Sequence, residues 1–227
     1  MRLGHLVTHP PIAFALLACL HLPAATVKID PAPPGEELSK AFAVKVEGKE
    51  CPVYAAKVAP RDPARRWLAM DDKKNSADYF ETAAFATFDM EGPARVTVTC
   101  SEQVRSVQVL PASSKIVPAI EGRTVSFVLP GPRQIAVEVN GDWVGSLHLF
   151  ANLPEIDVPK PDDPSVVYFG PGIHEVRRLV VGDGKTVYVA GGAVVRCGIG
   201  PDEKYSISSY SGLRNYAPAF ELRGEIR

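Results

Sequence analysis

The sequence lacks an excess of charge of either sign: 25 Lys and Arg against 26 Asp and Glu leave a formal net charge of −1. Nucleic acids and anionic membranes select a surplus of basic residues, so no nucleic-acid partner is expected. Long apolar runs are missing as well. The N-terminal stretch Ile12–Leu20 is too short to cross a bilayer, and no membrane span is expected. Of the five histidines only His148 and His174 lie beyond residue 26, and no His/Cys set has the spacing of zinc ligands. No metal or other cofactor is expected. Glycine pairs recur at Gly170-Pro171-Gly172, Gly182-Asp183-Gly184, Gly191-Gly192 and Gly198-Ile199-Gly200, yet none has the GxxxxGK[ST] or GxGxxG order that opens a phosphate-binding helix.

At the N-terminus, Met1-Arg2-Leu3-Gly4-His5 precedes the apolar run, which is the pattern of a secretory signal over residues 1–25. A secreted, periplasmic or cell-surface protein is expected. Leu16-Leu17-Ala18-Cys19 also has the form of a lipoprotein cleavage box, with Cys19 as the lipid anchor. Export gives the cysteines meaning, because disulfides persist outside the cytosol. Cys51 shares a strand face with Val53, and Cys100 with Val96 and Val98, so both point into one core. Two readings stand: a bond closing a loop of about fifty residues and contributing roughly 3 to 4 kcal/mol, or two buried free thiols. Cys197 has no partner and no His or Asp arranged to make it a nucleophile.

Proline-rich segments at Pro31–Gly35 and residues 156–164 punctuate the chain. Residues 26–155 between them alternate apolar and polar with a period of two at Arg95–Cys100, Arg123–Leu129 and Gln134–Val139, with Thr, Ser and Glu expected to face water. Further strands are expected at Phe42–Val46, Pro52–Val58, Ala83–Phe88 and Ser146–Phe150, about eight in all. Asn140-Gly141 marks a tight hairpin, since both central residues of a type I′ turn need positive φ. An immunoglobulin-like β-sandwich follows. Asp71–Asn75 reads as a solvated loop.

Residues 165–227 change character. Val166–His174 and Thr186–Arg196 are short β-branched strands separated by glycine corners, with no helical apolar period between them. Such coils bury their interior only against one another, so about three or more are needed for stability. The fold class expected is all-β, a sandwich followed by the incomplete start of a parallel β-helix whose open end favours self-association.

Candidates for chemistry are few. Glycoside hydrolysis needs two carboxylates about 5 to 10 Å apart. Asp162 and Asp163 are adjacent in a proline-rich linker that holds neither rigidly, Asp202 and Glu203 follow Pro201 in a loop, and Glu221 and Glu225 lie about 13 Å apart along one strand. No catalytic residue is assigned. His148 is expected to face solvent, and His174 to make a structural hydrogen bond at a bend. Trp143, beside the Asn140-Gly141 turn, either contacts sugar or covers the end of the sandwich core, and Trp67 is a weaker candidate of the same kind.

Tyr168–His174, Thr186–Val195 and Tyr210–Pro218 resemble the first coils of secreted β-helical polysaccharide hydrolases. The resemblance is to the dextranase and isopullulanase group, glycoside hydrolase family 49, and more distantly to polygalacturonase-type enzymes. That group also carries a β-sandwich ahead of a right-handed β-helix. The resemblance implies a polysaccharide partner. It places the catalytic aspartates on later coils, and no position here matches them. The expectation is a non-catalytic portion of such a hydrolase, inactive alone. A secreted carbohydrate-binding or cell-surface module is the alternative.

Overall fold

The structure is a computed structural model and describes residues 25–62, 81–176, 184–197 and 215–216. Within these the chain is all-β apart from one 3-10 turn at Ala112–Ser114. The sandwich strands are β1 (Thr26–Lys28), β2 (Phe42–Val46), β3 (Lys49–Cys51), β4 (Tyr54–Val58), β5 (Glu81–Glu91) and β6 (Ala94–Cys100). They continue as β7 (Val107–Leu110), β8 (Ala119–Glu121), β9 (Thr124–Leu129), β10 (Arg133–Val139) and β11 (Asp142–Asn152). Six form a sheet ordered β1-β5-β11-β10-β7, with β4 also paired to β5, and five form a sheet ordered β3-β2-β6-β9-β8. All these pairings are antiparallel except β11 with β5.

Alternation builds the core between the sheets. Ala84, Ala86, Phe88 and Met90 of β5 and Leu147, Leu149 and Ala151 of β11 face Val96 and Val98 of β6 and Val125, Phe127 and Leu129 of β9. The Asn140-Gly141 turn has φ of 54° and 76°, as the type I′ geometry requires. Asn140 also fastens the turn to its neighbour: its Oδ1 accepts from Arg105 N at 2.8 Å, and its Nδ2 donates to Gln103 O at 3.0 Å.

Cys51 and Cys100 are buried free thiols. They point into the same core, but β2 lies between their strands, with Cys51 opposite Val44 and Cys100 opposite Phe42. Two strand spacings of about 4.8 Å place their Cα atoms beyond disulfide reach. Burial pushes the Cys51 thiol up to about 12, against a smaller lowering from the Thr87 backbone, and raises that of Cys100.

The coils begin with β12 (Val166–Phe169) and β13 (Gly172–Val176), and continue with β14 (Thr186–Val189) and β15 (Ala193–Cys197). β14 stacks parallel on β12 and β15 on β13, in the registers Val166↔Thr186 and Gly172↔Ala193. The interior holds Phe169, Val187, Val189, Ala193 and Val195. A short β16 (Asn215–Tyr216) pairs antiparallel with β15, a departure from the all-parallel stack expected. The corners at Gly170-Pro171 and Gly191-Gly192 are joined by Gly172 N donating to Gly192 O at 3.0 Å.

The outer face of the six-stranded sheet is not the wet face that alternation implies. Tyr54, Phe85 and Phe150 on that face pack with Ile173 and Val194, which project from the coils. Only the five-stranded sheet keeps an outer face of the expected kind, with Arg95 and Thr99 exposed. Among the described residues no helix is long and apolar enough to cross a membrane.

Candidate functional site

A crevice of about 250 Å³ lies where the sandwich meets the coils. Its sandwich wall carries Lys28, Asp30, Asp89 and Asn152, and its coil wall carries Tyr168, Tyr188 and Gly191. Tyr168 and Tyr188 are register partners on β12 and β14, so their rings lie 5.2 Å apart, tilted by 34°, on the outside of the coil. The Tyr188 hydroxyl donates to Glu155 Oε2 at 2.6 Å and fixes that carboxylate between the sandwich and the first coil. Asn152 Nδ2 donates to Thr87 Oγ1 at 3.1 Å. Lys28 Nζ lies 3.3 Å from Asp30 and 3.9 Å from Asp89, so one ammonium separates two carboxylates. Burial raises the Asp89 carboxyl above its ordinary value; Lys28 works against the rise and Asp30 adds to it.

Asp30 also explains the double glycine of the second corner. A Cβ at Gly191 would overlap the Asp30 carboxylate, while Gly192 takes φ of 77°, which favours glycine. Two adjacent glycines thus answer two different demands.

Asp30 and Asp89 come within reach of one ammonium, close enough together to be weighed as a hydrolytic carboxylate pair. The arrangement is nevertheless poor for hydrolysis. Burial favours the protonated form of Asp89, but the Lys28 ammonium opposes that rise and occupies the place between the two carboxylates where a scissile bond would have to lie. The crevice is also smaller than pockets of about 300 to 1,000 Å³ that take drug-sized ligands. Its chemistry suits binding.

Trp143 lies near the other end of β11, 53% exposed. Residues 143–146 form a bulge there: Val137 pairs with Leu147 and Val139 with Asp142, so four residues face only Glu138. Asp142 Oδ1 accepts from Gly145 N at 3.0 Å and pairs with Arg61, whose guanidinium sits 6.0 Å from the Trp143 ring centre. This is an exposed aromatic held by a cation, not a lid on the core.

His148 projects outward, but outward here is not solvent. It is half-buried, burial lowers its pKa, and its Nε2 lies 3.1 Å from Ser146 Oγ. Ser146 is only 2% exposed, which leaves the pair inaccessible as a nucleophile and base. His174 Nε2 lies 2.6 Å from Gly170 O, the structural hydrogen bond expected at that bend. Asp163 is held, contrary to expectation. Its Oδ1 accepts from Ser165 Oγ at 2.6 Å and from Ser165 N at 2.8 Å, and these bonds lower its pKa. It shapes the turn into β12.

Residues 1–24 with the signal and Cys19, Trp67, the Asp71–Asn75 loop, Asp202, Glu203, Glu221 and Glu225 lie outside the described residues, as does the side chain of Cys197. The crevice residues escape sequence reasoning because they come from separated strands and carry no motif. The one local signal is the repeat of a tyrosine between valines or a valine and phenylalanine, at Val167-Tyr168-Phe169 and Val187-Tyr188-Val189.

No protein-family model matches the sequence, and no curated protein matches it. The fold is similar to that of Dex49A from Penicillium minioluteum, a dextranase of glycoside hydrolase family 49, at a TM-score of 0.53 and 17% identity. The likeness covers 76% of this chain and 45% of that one, so the chain spans less than half the length of the solved enzyme. At this identity the likeness shows the fold alone, a β-sandwich with stacked β-helical coils, and does not place the chain in family 49.

Proposed function

We propose that this chain is the non-catalytic sandwich-and-first-coil portion of an exported β-helical polysaccharide hydrolase, acting on glycan through the larger enzyme. One observation carries the reading: a β-sandwich packed through one sheet face onto stacked parallel coils, in a fold similar to that of a dextranase. The Lys28 bridge between Asp30 and Asp89 supports a non-catalytic role for the crevice. The purified chain should release no reducing ends from dextran, pullulan or polygalacturonate. Release that disappears in Asp89→Asn would overturn the non-catalytic assignment.

The exposed Trp143 with its Arg61 partner favours a second reading, a carbohydrate-binding module with no hydrolytic role. Retention of the chain on one of those polymers, abolished by Trp143→Ala, selects this reading.

A further inference from the structure

We propose that the crevice between the sandwich and the coils is a binding site for one uncharged sugar residue, distinct from the Trp143 surface. The inference rests on the carbohydrate reading above and gives it a second location and a ligand class.

Size sets the first limit. About 250 Å³ lies below the usual range for drug-sized ligands and suits a single ring rather than an oligosaccharide. Charge sets the second. Asp30 and Asp89 share one ammonium, Lys28, so a uronate or phosphate meets net repulsion. A free cation fares no better. Lys28 already occupies the place between Asp30 and Asp89, and among the described residues no group of three or more His, Cys, Asp or Glu is placed to hold a metal ion.

A neutral polyol fits both limits. Its hydroxyls donate to carboxylates and accept from an ammonium, while a tyrosine ring offers a face to its C–H groups. Tyr168 is half-buried and lines the crevice, with Tyr188 packed against it. The polar groups are positioned beforehand. Glu155 is fixed by Tyr188, Asn152 by Thr87, and Asp30 lies over the Gly191 corner. Groups fixed in advance lose little freedom when a ligand arrives. Because one wall is sandwich and the other is coil, an occupant would also tie the two together.

The test is saturation-transfer NMR on the full chain, using methyl α-glucoside as the neutral probe and galacturonate as the charged one. The expected result is saturable binding of the glucoside with a dissociation constant on the order of millimolar, and galacturonate at least tenfold weaker. Tyr168→Leu should weaken glucoside binding about tenfold or more, and Trp143→Ala should leave it unchanged. Asp89→Asn, from the opposite wall, should narrow the gap between the two sugars, a change that a purely structural role would not produce. It also reads the site independently if Tyr168→Leu does not fold. No glucoside signal from the folded chain, equal binding of both sugars, or loss of the signal in Trp143→Ala would each overturn the inference. Polymer retained through Trp143 with no glucoside in the crevice sinks this site and leaves the carbohydrate reading standing, whereas no binding of polymer or monosaccharide sinks both.

Discussion

The two faces of the six-stranded sheet obey different rules. The inner face meets the other sheet with Leu147, Leu149, Val137 and Met90, uniformly apolar and sealed. The outer face meets the coils with an aromatic patch of Tyr54, Phe85 and Phe150, where Phe85 lies 5.3 Å from Tyr54 and 6.3 Å from Phe150, beside tyrosines, carboxylates and the crevice. A core needs only volume and apolarity to close, whereas a junction of this mixed kind depends on individual polar contacts. The inner face therefore carries the sandwich, and the outer face carries orientation.

Substitutions measure that difference. Leu147→Ala, in the sealed core, should cost about 2 to 5 kcal/mol of unfolding free energy by denaturant titration, with the whole sandwich melting earlier. Arg196→Met attacks the attachment of the coils instead. Arg196 donates to Glu36 at 2.9 Å and to Glu175 at 2.6 Å, and the Glu36 side chain is 0% exposed. Removing one charged hydrogen bond from a buried carboxylate costs about 1.5 to 3 kcal/mol. Hydrogen exchange should rise in β13 and β15 while β6 and β9 stay protected; equal loss in both would show that the faces are not separable.

Gly191→Ala is milder, about 1 kcal/mol, because the clash falls on one side chain, the Asp30 carboxylate, which must leave its place beside Lys28. Its melting temperature should recover in Gly191→Ala combined with Asp30→Ala. The smallest effect is electrostatic. Burial holds the His148 pKa down, so the folded chain binds its proton less readily than the unfolded one. This contribution is full above about pH 6.5 and is lost as pH falls from there through the folded-state value. A melting temperature that drops between pH 7.5 and 5.5, with the drop reduced in His148→Gln, is the expected outcome.

Sequence reads the inner face well and the outer face poorly, for a physical reason. Alternation at Val96-Thr97-Val98 and Val125-Ser126-Phe127 reports which residues share a core, and the Asn140-Gly141 hairpin reports its own turn. Both signals are local. β1, β3 and β8 are three residues each, too short to show a period, and all three residues of β8 are exposed. The parallel pairing of β11 with β5 joins residues more than sixty apart, beyond any local signal. Ser146, His148 and Thr87 have the chemistry of a wetted face, yet Ser146 is buried and the other two are half-buried. The coil strands were legible from their β-branched runs and glycine corners, but the crevice was not, because Asp30, Asp89, Glu155 and Tyr188 meet only after both parts have folded.

The Glu36–Arg196 contact carries a consequence in time. Its partners are 160 residues apart, so during synthesis at roughly 5 to 20 residues per second Glu36 emerges about 8 to 30 s before the cation that receives it. For that interval Glu36 lacks this contact with the coils. Every strand of the sandwich is synthesised before Arg196, so its two sheets need not wait on this contact to begin closing.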